Sequence, residues 1–102
     1  MKPVILLAEA VEDLENARDF YDRQQAGVGD YCVRSLIADT EKLADFHGIH
    51  PKHFGCYRML ASRFPFGVYY QNIESAVCVI AILDLRRDPS WIHSEMDRRS
   101  GA

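Results

Sequence analysis

The spacing of apolar positions changes along the chain, and each change predicts an element. Residues 3–7, PVILL, form a short continuous apolar run of the kind a buried strand presents. From Glu9 to about Gln25 the period turns helical. Val11, Leu14, Ala17 (or Arg18), Phe20 and Tyr21 fall on one stripe, while Glu12, Asp13, Glu15, Asp19 and Asp22 occupy the remainder. Acidic residues crowd the first turns, where they complement the positive end of the helix dipole. The glycines of AGVGD, residues 26–30, end that helix. A second follows from about Asp30 to Phe46, with Cys32 (or Val33), Leu36, Ile37, Thr40 and Leu43 facing inward. Two amphipathic helices joined by a tight glycine turn make a helical hairpin, whose apolar sides require a sheet to pack on.

Beyond residue 56 the period shortens. YRMLASR (57–63), FGVYYQNI (66–73) and AVCVIAILDL (76–85) predict three strands, rich in aromatic and β-branched residues. Glu74 and Ser75 leave room for a hairpin between the last two and nothing larger. Residues 76–83 are almost wholly apolar, which predicts a central strand covered on both faces, with Cys78 a small buried hydrophobe. Arg58 and Arg63 interrupt apolar neighbours and are expected at strand ends. Tyr69 and Tyr70 must point to opposite faces, one beneath the helices and one on the far side. Asp88-Pro89 then reads as an N-cap followed by proline at the first helical position. It starts a short C-terminal helix or tail that carries Trp91, Met96, Arg98 and Arg99. The predicted order is β-α-α-β-β-β with this small piece appended. That is an α+β fold, a helical hairpin packed on a small, mainly antiparallel sheet, in one domain over residues 1–102.

The composition, 48% hydrophobic and 26% charged, is that of a globular protein. The run Val4–Ala8 is too short for a signal segment or a membrane span, so a cytoplasmic location is expected. Three cysteines without a CxxC spacing imply no disulfide framework. A formal charge of −3 argues against a general nucleic-acid binder. The distribution is uneven, however: residues 1–45 hold ten acidic and five basic side chains, and residues 46–102 hold five acidic and seven basic. Between Asp45 and Glu74 there is no carboxylate, which predicts one locally basic face. His47, His50, His53 and Cys56 recur every third residue, the interval at which a helix would align them as metal ligands. Gly48, Pro51 and Gly55 exclude that helix, so the segment reads as a loop with solvated histidines and no metal.

Four segments together resemble the RelE/ParE superfamily of bacterial type II toxins, also called plasmid-stabilisation proteins. They are EDLENARDFYDRQQAGVGDYCVRSL in the helical hairpin, HP at 50–51, YRMLASRFPFGVYYQ over two strands, and VIAILDLRRDPSWI at the end. They cover nearly the whole chain, and RFPFGVYY and RRDPSW are the most specific. The resemblance implies a small toxin, without a cofactor, neutralised by a cognate antitoxin whose C-terminal segment folds along its surface. It also implies one of two activities. ParE-like members poison DNA gyrase by binding; RelE-like members cleave mRNA in the ribosomal decoding site, using basic residues on the sheet and a tyrosine near the C-terminus.

Here Arg63 and Arg86 or Arg87 match the basic positions, but the tyrosine has no match, the region reading Trp91-Ile92-His93. Lysines are confined to Lys2, Lys42 and Lys52. The ParE-like branch is therefore favoured, with Arg58, Arg63, Arg86, Arg87 and Trp91 as target- or antitoxin-binding residues and no catalytic ones. The alternatives are an mRNA endonuclease using Arg63, Arg87 and His93, with His93 as general acid or base, and a non-toxic binding module of the same fold. Direct nucleic-acid binding is expected only of the endonuclease. One of Arg86 and Arg87 is expected to pair with Asp88 or a helix carboxylate. Trp91 either clamps the C-terminal segment on the sheet or serves as a binding hot spot. Any sheet face that this segment leaves open requires a partner, which the antitoxin would supply.

Overall fold

The computed structural model describes residues 1–100. Its elements are β1 (Val4–Leu6), α1 (Ala8–Gln24), α2 (Val28–Glu41), β2 (Lys52–His53), β3 (Cys56–Leu60), β4 (Phe66–Asn72), β5 (Val77–Asp84) and α3 (Pro89–Arg99). The sheet order is β1-β5-β4-β3-β2. β2 to β5 pair antiparallel, and β1 adds in parallel to β5, with Val4 opposite Val77.

The sheet lies between two helical layers. On one face α1 and α2 bury Leu14, Ala17, Val33 and Leu36 against Val68, Tyr70, Val79 and Ile82. On the other, α3 buries Ile92 and Met96 against Cys56, Tyr69, Ala81 and Leu83. α3 thus covers the middle of the far face, while Ile5 and Leu60 toward its edges remain 47% and 62% exposed. Tyr69 and Tyr70 take opposite faces as the strand period requires. Tyr69 pairs with Ala81 and Tyr70 with Val79, so Ile80 is an extra residue, a bulge that turns both Ile80 and Ala81 toward α3. β5 is buried on both faces from Val77 to Leu83 except at Cys78, which pairs with half-exposed Ile5 outside the α3 contact and so is only partly buried.

Two helical stripes are rotated from those expected. α1 buries Ala10, Asp13, Leu14 and Ala17 and leaves Val11 and Phe20 half exposed, at 42% and 41%. Small Ala10 and Ala17 let the helix approach closely, and that phase carries Asp13 inward. α2 likewise leaves Ile37 outward and buries Asp39. Asp39 accepts the Ser62 N–H at 2.8 Å and its hydroxyl at 2.9 Å, and takes Lys42 Nζ at 3.2 Å. Burial pushes this carboxyl up, but those donors outweigh it and hold Asp39 below its ordinary value.

The histidine segment is more ordered than a loop. Phe54 and Gly55 have φ of 57° and 78°, the left-handed pair of a two-residue hairpin turn, and this pairs Lys52–His53 with β3. His47 Nδ1 meets the Leu43 carbonyl at 2.9 Å. His50 Nδ1 lies 2.5 Å from the Tyr70 hydroxyl, which also accepts the Gly48 N–H at 2.9 Å. The hydroxyl accepts from Gly48 and spends its other hydrogen bond on His50, donating where Nδ1 is unprotonated.

That latch makes stability depend on pH. Burial lowers the His50 pKa below 6.5. A lowered folded value means that the contribution is complete above 6.5 and is lost as pH falls through the folded value. The urea midpoint should drop between pH 7.5 and pH 5 more in the wild type than in His50→Gln. Equal drops in the two proteins would contradict the latch.

Candidate partner-binding groove

β1 pairs with β5 only as far as Val79, and α1 follows at once, so the outer edge of β5 runs on to Asp84 without a neighbouring strand. α1 and α3 flank this edge. Between them lies a groove of about 690 Å³, with Ile82, Leu83, Asp84 and Phe66 at its floor and Phe20 and Trp91 on its two walls.

One end is closed by a buried ion pair. Arg99 from α3 grips Asp13 from α1 with two bonds, Nη1–Oδ2 at 2.5 Å and Nη2–Oδ1 at 2.9 Å, and neither side chain is more than 8% exposed. Asp13 Oδ2 accepts the Ile82 N–H at 2.9 Å, and Arg99 Nη1 reaches the Ile80 carbonyl at 3.4 Å. Two side chains therefore satisfy strand-edge groups that a sixth strand would otherwise pair. Burial pushes the Asp13 carboxyl above its ordinary value, against the pull of Arg99 and the Ile82 N–H. Glu95 binds Arg99 at 2.8 Å, and Arg98 joins Glu95 to Glu9, so α3 is tied to α1 by a network.

The other end carries the arginine pair. Arg86 binds Asp84, Nη2–Oδ2 at 2.7 Å and Nε–Oδ1 at 3.1 Å, and reaches the Tyr21 hydroxyl at 3.2 Å. Its partner is a strand carboxylate, in place of the expected Asp88 or helix carboxylate. Asp88 instead caps α3, accepting the Ser90 N–H at 2.9 Å. Burial pushes Asp84 up, but the Arg86 donors prevail and hold it below its ordinary value. Arg87 lies 3.6 Å from the centre of the Trp91 ring, stacking its guanidinium on the indole. Trp91 packs on the α3 core with one part of its ring and lines the groove with another.

The remaining predicted residues lie elsewhere. Arg58 stands in the middle of β3, opposite Tyr69, and not at a strand end. Its chain crosses Gly67, where an added Cβ would sit 3.2 Å from Arg58 Cδ, and its buried Nε has no partner among the described residues. Arg63 turns toward α2 and donates to the Tyr31 hydroxyl at 2.8 Å. His93 stacks on Phe54 at 5.1 Å and faces Asp97 at 3.3 Å. Arg63, Arg87 and His93 are therefore not brought together: each is held by a different neighbour, and Arg63 and Arg87 line separate depressions. Sequence reasoning missed Asp13, Phe20 and Arg99. The spacing Ala10, Leu14, Ala17, Tyr21 was the available signal, since it places Asp13 on the inner side.

Among the described residues, no three His, Cys, Asp or Glu side chains gather to hold a metal, and no helix is long and apolar enough to cross a membrane. No family model and no curated protein matches the chain. Among solved structures, it is similar to a chain of the chromosomal ParDE TA system from P. aeruginosa. The TM-score is 0.73 at 16% identity, covering 80% of this chain and 94% of that one. The architecture is the RelE/ParE-like α+β fold that the sequence motifs imply.

Proposed function

We propose that this chain is the toxin of a bacterial type II toxin–antitoxin pair, which acts by binding DNA gyrase and is neutralised by an antitoxin segment laid in the groove between α1 and α3. The observation that carries the reading is the likeness to a chain of a ParDE TA system, because it spans nearly all of that chain. The groove adds support. It offers an aromatic on each wall, half-exposed Phe20 and part-buried Trp91, beside a strand edge only partly satisfied by side chains. The separation of Arg63 from Arg87 and His93 favours binding over RNA cleavage, which needs its acid, base and charge-stabilising groups around one phosphate.

Expression in bacteria without the partner tests this reading. Growth should stop, plasmid supercoiling should be lost and ribosome-bound mRNA should stay intact. Co-expression of a cognate antitoxin should restore growth. Cleaved mRNA with normal supercoiling would replace the reading with an endonuclease, and unaffected growth with both intact would leave a binding module.

A further inference from the structure

A second depression lies between α2 and the β3–β4 turn, away from the groove. It measures about 380 Å³ and is bordered by the cations Arg34, Lys42 and Arg63, with Tyr31 at one side. Its single carboxylate, Asp39, is 4% exposed and already committed to Ser62 and Lys42. Among the described residues, neither Arg34 nor Arg63 has a carboxylate within ion-pair distance. Arg63 is nonetheless held in place, because its guanidinium donates to the Tyr31 hydroxyl at 2.8 Å. The turn side adds no repulsion, as residues 46–73 contain no acid. Ser35, Ala38 and Ser62 are small, so a main chain can come close to the cations.

We propose that this depression is a second interaction surface, built to receive a short acidic segment of a protein partner. The two unpaired guanidiniums supply forked donors that match carboxylates, and one is pre-positioned, so little side-chain entropy is lost on binding. Nucleic acid fits less well. Single strands need open aromatic faces for stacking, whereas Tyr31 packs edge-on against Phe64 at 5.6 Å and has the Arg63 guanidinium 6.0 Å from its ring centre. The basic stretch is also short. Exposed Asp30 lies at one end of α2 and exposed Glu41 and Asp45 at the other, so a long polyanion would run into carboxylates. A few acidic side chains would not. The proposal stands on this surface alone and does not rest on the toxin reading, so the growth assay can fail while this binding holds.

The test uses the full chain and a fluorescein-labelled decapeptide rich in Asp and Glu, followed by anisotropy at low salt. Saturable binding is expected, weakened roughly tenfold or more by Arg34→Glu/Arg63→Glu and unchanged by Lys52→Glu on β2. In ¹⁵N spectra the peptide should move the amides of Ser35, Ser62 and Arg63. Three results would each overturn the proposal. They are no saturable binding, equal binding by the double variant, and tighter binding of oligothymidine of the same charge than of the peptide.

Discussion

Replacing Arg99 by leucine should cost about 3–5 kcal/mol of folding stability, among the largest effects expected of any single change in this chain. The loss arises from what is left behind. Asp13 stays buried with one backbone donor, the Ile82 N–H, and no countercharge within reach. Glu95 loses its bond at 2.8 Å, and α3 loses its buried tie to α1, keeping the exposed Arg98–Glu9 pair. The double variant Asp13→Asn/Arg99→Leu separates charge from edge protection. Asparagine removes the stranded charge and keeps an acceptor for the Ile82 N–H, so more than half of the lost stability should return. Urea denaturation of the three proteins checks this. An Arg99→Leu protein within about 1 kcal/mol of wild type would mean that the ion pair contributes little beyond its own desolvation.

The second large effect is steric. Gly29 opens α2 where that helix meets α1, and its N–H donates to Asp22 Oδ1 at 2.8 Å. An added Cβ would sit 2.3 Å from the Arg18 carbonyl oxygen and 2.6 Å from Asp22 Oδ1. Asp22 can rotate away, but the carbonyl belongs to the α1 backbone and cannot. Gly29→Ala must therefore force the two helices apart, and a loss of about 3 kcal/mol or more is expected. Ordinary helix propensity predicts the opposite, since alanine is favoured over glycine by about 1 kcal/mol in a helix interior. The sign of the change in the thermal midpoint decides between the two. Gly27, with φ of 91°, tolerates alanine poorly for a different reason, its left-handed backbone, although nothing lies within 4 Å of the added carbon.

Much of the fold can be read from the residues because local signals agree. The apolar run through β5, the Glu74-Ser75 turn and the Asp88-Pro89 cap each have one structural meaning, and each appears where it was expected. Elements whose cause is distant are harder to read. Lys52–His53 is a strand only because Phe54 and Gly55 turn left-handed and bring it onto β3; by composition it is a loop. Asp13 looks like one more solvated acid on an acidic helix. Its burial depends on Arg99, 86 positions later, and on the edge that short β1 leaves bare. The same holds for the arginines of the site. Their number and rough positions are visible in the sequence. Which surface each faces is decided by Asp84, Trp91 and Tyr31, and no local pattern announces those partners.

The proposed binding of gyrase is decided by supercoiling of relaxed plasmid with purified gyrase and ATP. Addition of the purified chain should abolish supercoiling, and prior mixing with its antitoxin should restore it. Full supercoiling with the chain in excess would contradict the claim.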